Sequence, residues 1–236
     1  MIAVSGAFNF RDVGGLPAGS RLTRSGVLYR SGNLAHLDDD GRATLAALGL
    51  RRIVDLRDEF ELAHEPSLVD GLGIETVHAP LFLGSTESFL GADLTMAQLY
   101  SELVDTAADR IVGAVRAVLA DQPVLIHCTV GKDRTGVTVA LMLAAAGVDT
   151  DAVIADYART ESLLPPERNA SVVAFLQSRH PDSTNLVDLA TRSPAPIMRG
   201  LLEDIDARFG SAADYLRAGG LDDGEIAGLR DVLVAP

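Results

Sequence analysis

Apolar positions along the chain change spacing from one segment to the next. Short apolar runs, β-branched in part and bounded by turn residues, fall at 27–30, 52–57, 74–80 and 123–127, and each reads as a strand. The third is entered through Gly71-Leu72-Gly73. Between them the spacing becomes helical. Residues 37–48 form one helix, with Asp38 as the capping side chain and Gly49 at its end. Residues 95–120 place Leu99, Leu103, Ile111, Val115 and Val118 at helical intervals, as one long helix or two abutting ones. The run at 123–127 passes through a tight loop into 135–146, an apolar, alanine-rich stretch expected to be a buried helix closed by Gly147. After Asp149 the pattern is helical at 152–160, 166–179, 196–209, 212–216 and 223–234. No internal repeat, low-complexity tract or linker interrupts it. Strand–helix alternation predicts an α/β fold, a mainly parallel central sheet with helices on both faces, in one domain over residues 1–236. Loops at the C-terminal edge of such a sheet are where ligands bind.

The loop after the last strand concentrates the candidate chemistry. It reads His127-Cys128-Thr129-Val130-Gly131-Lys132-Asp133-Arg134-Thr135-Gly136 and holds the chain's only cysteine and only lysine. A strand, a tight loop and a helix N-terminus place Cys128 at the mouth of a ring of backbone N–H groups, an anion site reinforced by the helix dipole. That field also favours a thiolate. Arg134 can fold over the loop and grip an oxyanion with its planar fork. A lone cysteine is more often an inert buried hydrophobe, and an arginine six positions on is weak by itself. Here the spacing comes with His127, Gly131, Thr135-Gly136 and the right element on either side. A nucleophile at the base of an anion cradle is the equipment of a cysteine phosphatase.

From the residue types, Cys128 would attack phosphorus. Arg134 and the backbone N–H groups from Thr129 to Arg134, those of Thr129, Val130, Gly131 and Lys132 among them, would hold the phosphoryl oxygens. The Thr135 hydroxyl is expected to donate to the Cys128 sulfur or simply to open the helix. His127 orders the loop from behind. Asp55, at the end of the second strand, converges on the same edge and competes with Asp133 to supply a proton. Lys132 adds positive potential for a second phosphate or an acidic neighbour, or is a solvated loop residue.

Composition narrows the classes. The net charge of −13 argues against a nucleic-acid binder and against adsorption to anionic membranes. The acidic clusters at 38–40, 203–206 and 222–225 read as solvated helix starts and faces. Nothing approaches the roughly 18 consecutive apolar residues of a membrane span. Residues 1–10 lack both a basic start and an apolar core, so the sequence reads as cytoplasmic. One cysteine excludes an internal disulfide. No cofactor or metal is called for.

The loop, with Cys128 followed six residues on by Arg134-Thr135, resembles the signature of the protein tyrosine phosphatase superfamily. The Gly-Lys-Asp-Arg-Thr-Gly variant is similar to the atypical bacterial branch typified by the mycobacterial tyrosine phosphatase B family. Asn9-Phe10-Arg11-Asp12-Val13-Gly14-Gly15, Tyr29-Arg30-Ser31, residues 37–48, Asp55-Leu56-Arg57 and Ala155-Asp156-Tyr157 resemble family segments in the same order. The likeness is weakest at 79–105 and 165–209. It implies a cysteine-phosphatase fold, with 165–209 a helical lid over the Cys128 pocket; the alternative is that these helices complete the core. It also implies phosphotyrosine, phosphoserine/threonine or phosphoinositide substrates, and makes export without a signal compatible with the sequence. At Asp133 the chain also resembles myotubularin-type phosphoinositide phosphatases, which implies an acid role there; Asp55 remains the alternative. A noncatalytic phospho-ligand reader is the other class to weigh. A sulfur-transfer or arsenate-reducing enzyme is disfavoured, since arsenate reduction usually draws on resolving cysteines that this chain lacks.

Overall fold

The computed structural model describes residues 2–81 and 93–236. Part of the weakly resembling stretch 79–105 therefore lies outside the described residues, as does Met1. Seven strands are described: β1 (Arg11–Asp12), β2 (Pro17–Ala18), β3 (Arg21–Leu22), β4 (Leu28–Ser31), β5 (Arg52–Asp55), β6 (Glu75–His78) and β7 (Val124–His127). Five build one sheet in the order β1-β4-β7-β5-β6, and β2 pairs with β3 as a separate hairpin. β4, β7, β5 and β6 run parallel; β1 is antiparallel to β4. The α/β class and the mainly parallel sheet are therefore as the alternating pattern predicts.

Successive residues in the central strands face opposite layers, as the pleat requires. Leu28, Val54, Val124 and Ile126 enter one apolar cluster, while Tyr29, Ile53 and Leu125 enter another. The second cluster packs under α1 (Asp39–Ala47) through Leu45. The first is covered by α3 (Met96–Thr106), α4 (Ala108–Ala120) and α5 (Asp133–Ala145). Both faces being covered explains why Leu28-Tyr29, Ile53-Val54 and Val124-Leu125-Ile126 carry apolar side chains on successive residues. Residues 95–120 resolve into two helices meeting at Ala107, and Thr95 caps the first through a reciprocal pair with Gln98. Asp38 caps α1 as expected, accepting from the Gly41 N–H.

The remaining helices are α6 (Thr150–Leu163), α7 (Pro166–Arg179), α8 (Leu186–Thr191), α9 (Ala195–Phe209), α10 (Ala212–Ala218) and α11 (Asp223–Leu233). Short elements escaped the sequence pattern: β1, β2, β3, α8, and α2 (Glu59–His64), which has no buried residue at all. The expected lid, 165–209, divides in two. α9 belongs to the core through Met198, Leu201, Leu202 and Ile205, whereas α7 has no fully buried residue and leaves Phe175 57% exposed. No described helix is long and apolar enough to cross a membrane.

Candidate active site

β7 lies at the centre of the sheet, so the chain leaving it emerges between the ends of β4 and β5. Residues 128–132 turn there and enter α5 at Asp133. Gly131 makes the turn feasible. Its φ is +71°, and a Cβ at that position would lie 2.1 Å from the Ser31 carbonyl oxygen.

Each carbonyl from His127 to Gly131 has a hydrogen-bonding partner. His127 O accepts from Leu56 N at 2.9 Å and Thr129 O from Asn33 N at 3.0 Å. Cys128 O lies 3.3 Å from His127 Nδ1. Asn9 Nδ2 donates to Val130 O and Gly131 O at 3.1 and 2.9 Å, and Arg30 donates to Gly131 O at 2.9 Å. Within one planar trans peptide the C=O and the next N–H point in opposite directions. Outward carbonyls from Cys128 to Gly131 therefore turn the N–H groups of Thr129, Val130, Gly131 and Lys132 inward. Cys128 sits at the base, only 2% exposed, with Gly131 N donating to its sulfur at 3.2 Å.

The pinning side chains form a buried network. Asp156 pairs with Arg11 at 2.7 Å and with Arg30 at 2.8 Å, and Arg11 holds Asn9 Oδ1. Asp156 lies below the usual carboxylate range: burial pushes it up, but the charges of Arg30 and Arg11 prevail. Arg11 is brought down to about 10, chiefly by burial and by the neighbouring Arg30. Asn9, Arg11, Arg30 and Asp156 all sit in segments that carried the family resemblance, yet their joint task is visible only in three dimensions.

Arg134 is engaged over the loop. Its guanidinium meets both Glu61 carboxylate oxygens, at 2.6 and 2.7 Å, and Thr129 Oγ1 at 3.3 Å. Glu61 also accepts from Thr129 Oγ1. Burial raises the Glu61 carboxyl, but Arg134 and Thr129 outweigh it and hold it below its ordinary value. Arg134 is held firmly protonated: burial opposes its charge, and Glu61, Cys128 and Asp133 overcome that. Glu61 went unnoticed in the sequence because α2 is short and unpatterned; the one local signal is its capping box with Asp58.

The other expected site residues divide. Asp133 lies at the rim, its Oδ1 receiving the Tyr100 hydroxyl at 2.8 Å and the Lys132 ammonium at 2.9 Å. Tyr100 is held by Tyr157 at 2.7 Å, and burial beside Asp133 keeps its phenol well above its usual value. Lys132 is neither solvated nor open to a second phosphate in this state. It is fully buried and donates to Arg192 O at 3.0 Å, tying the loop to the segment between α8 and α9. Asp55 is likewise withdrawn, fully buried behind the loop with Arg57 at 2.7 Å and His127 Nε2 at 3.4 Å. Burial raises its carboxyl, but His127 and Arg57 bring it below its ordinary value. His127 is pushed down, first by burial and then by Arg57, against the pull of Asp55. The expected bond from Thr135 to the sulfur is absent. Its Oγ1 is buried without a hydrogen-bond partner, and the Gly131 N–H serves the sulfur instead.

Fold and loop together define a cysteine phosphatase, and the chain belongs to the tyrosine phosphatase family, whose model matches residues 2–235. Members of this family are phosphoric monoester hydrolases. The chain is 32% identical to the triple specificity protein phosphatase PtpB of Mycobacterium tuberculosis, covering 97% of each. It is 33% identical to a putative tyrosine-protein phosphatase of Cupriavidus necator, covering 89% of this chain and 80% of that one. Among solved structures, the catalytic domain of the PP-IP phosphatase SIW14 from S. cerevisiae aligns at 21% identity with a TM-score of 0.43. That alignment covers 77% of this chain and 88% of that one.

Proposed function

We propose that the chain hydrolyses phosphotyrosine, and phosphoserine or phosphothreonine where their shorter side chains reach the loop, through a phosphocysteine on Cys128. The observation that carries this reading is the ring of inward N–H groups with Cys128 at its base and Arg134 above it. The Cys128 sulfur forms a bond to phosphorus as the ester P–O bond breaks, with Arg134 and the loop N–H groups holding the equatorial oxygens. The leaving oxygen takes a proton from Asp133. Both Asp133 contacts fall on Oδ1, so Oδ2 is the oxygen that carries this proton. Water then attacks phosphorus, returning its proton to Asp133 as the P–S bond breaks. Asp55, buried against Arg57, serves the sheet edge behind the loop rather than the substrate.

Two facts support protein phosphoesters over phosphoinositides. Lys132, the cation suited to a second phosphate, is engaged by Arg192 O and Asp133, and the mycobacterial relative is named a protein phosphatase. Comparing kcat/KM over phosphotyrosine and phosphoserine peptides, short-chain phosphoinositides and a simple aryl phosphate tests the reading. Phosphotyrosine peptides are expected to lead. A clear lead for phosphoinositides would replace the substrate class, and no turnover of the aryl phosphate would leave only a phospho-ligand reader.

A further inference from the structure

A cavity of about 770 Å³ opens beside the loop, with Thr129 in its wall. One side is the N-terminal segment, with Ile2, Val4, Phe8 and Phe10; the other is the start of α7, with Pro165, Arg168 and Val172. The walls are tied to the site itself. Gly32 N donates to Phe8 O at 2.9 Å, and the Phe8 ring lies so close to Gly32 that a Cβ there would meet it at 2.5 Å. Arg168 stacks over the same ring at 5.3 Å.

Asn33, also in the cavity wall, carries a specific polar signal. It is 3% exposed, its backbone N–H holds the Thr129 carbonyl, and its Nδ2 donates to Glu65 at 2.5 Å. A carboxylate accepts only from the NH2 end, so the amide orientation is fixed. Its Oδ1 is then a buried acceptor without a hydrogen-bond partner, and such groups in native structures call for a donor.

We propose that this cavity is a recognition subsite for the apolar side chain of a residue flanking the phosphorylated one in a protein substrate, with a main-chain N–H of that segment donating to Asn33 Oδ1. The proposal rests on the reading of the chain as a protein phosphatase and adds where sequence preference arises. The mostly aliphatic and aromatic lining accepts the side chain, and Thr129 places it next to the phosphoryl site. An acyl chain would fill the apolar space equally well but brings no donor for Asn33. A net charge of −13 also keeps the molecule from anionic lipid surfaces.

The test compares phosphotyrosine peptides that carry leucine or aspartate at each neighbouring position in turn, with p-nitrophenyl phosphate as reference in every variant. At one position leucine is expected to raise kcat/KM by about tenfold or more over aspartate, mostly through KM. Val172→Glu, on the partly exposed face of α7, brings that ratio toward one. Equal kcat/KM for leucine and aspartate peptides in the wild type overturns the subsite, as does a leucine preference that survives Val172→Glu. If Val172→Glu instead lowers hydrolysis of a short-chain phosphoinositide and leaves the peptide ratio intact, the cavity belongs to an acyl chain and the proposal is wrong. Turnover of p-nitrophenyl phosphate with no peptide hydrolysed marks a different failure, that of the protein-substrate reading beneath it.

Discussion

Cys128 and Asp133 sit at opposite depths of one loop, and that difference assigns them different tests. Cys128→Ser replaces the nucleophile with a hydroxyl far weaker than a thiolate but leaves the N–H ring and Arg134 in place. Turnover should fall at least about a thousandfold while binding of a phosphopeptide stays measurable by calorimetry. Retention of even a tenth of wild-type activity would exclude a phosphocysteine. Asp133→Asn keeps the Tyr100 and Lys132 neighbours but removes the proton donor. Its kcat should drop by about a hundredfold for alkyl phosphates and far less for esters of acidic phenols, which need no proton to leave. An equal loss across leaving groups would reduce Asp133 to a structural role. At this scale the sequence was informative where chemistry depends on neighbours in the chain. Cys128, the N–H ring, Arg134 and Asp133 lie within one short segment, and the structure places them together. Where a role depends on distant partners it was opaque. Nothing local shows that Lys132 is buried against Arg192 O, that Asp55 is clamped by Arg57, or that Gly131 rather than Thr135 serves the sulfur.

The helices differ in how far their pattern exposes them. α9 buries an apolar face and could be read from spacing, and α5 is buried all round and could be read from its apolar run, whereas α2 has no fully buried residue, yet it brings Glu61 onto Arg134. The consequence is competition, because a phosphoryl group seeking Arg134 meets a carboxylate already paired with it. Glu61→Gln removes the charge and keeps the shape, so inorganic phosphate should inhibit more tightly by about five- to tenfold, on the order of 1 kcal/mol. The Glu61 carboxyl is held below its ordinary value in the folded protein. The ion pair is therefore intact above the usual carboxylate range and is lost as pH falls through the lowered value. The difference between wild type and variant should shrink in acid. Weaker phosphate inhibition in Glu61→Gln would mean that Glu61 aims Arg134 rather than competing for it. The same contrast between pattern and placement revises the lid. Spacing shows α7 as a helix, but Phe175 faces solvent with Arg179 against its ring at 5.6 Å. Residues 165–209 are tied to the loop where Lys132 donates to Arg192 O.

Over the whole molecule, two electrostatic effects oppose each other as pH changes. A net charge of −13 repels itself at neutral pH, so mild acid, by shrinking that charge, relieves the folded state. Against this stand two buried carboxylates, Asp55 on Arg57 and Asp156 on Arg11 and Arg30. Burial pushes both up, but their partners win, and both are held below their ordinary values. Unfolded chains bind protons on these groups at a higher pH than the folded chain does. Their contribution is thus fully present above the unfolded carboxylate range and disappears as pH falls through the folded values. Thermal stability should therefore rise from pH 8 to a maximum at about pH 5–6 and fall steeply below about pH 4. Asp156→Asn separates the two effects. It strips the counter-charge from two buried arginines, which costs about 3 kcal/mol and lowers Tm by roughly 10 °C at neutral pH. The variant no longer has that carboxylate to protonate, so its acid limb should be shallower than that of the wild type. Because Arg30 and Asn9 also hold the loop carbonyls, the same substitution should raise KM for an aryl phosphate several-fold at a temperature where the protein is folded. A scan of Tm from pH 3 to 8 for both proteins decides the matter. Parallel acid limbs would show that Asp156 carries no proton-linked stability, and an unchanged KM would detach the buried network from the anion cradle it is built to hold.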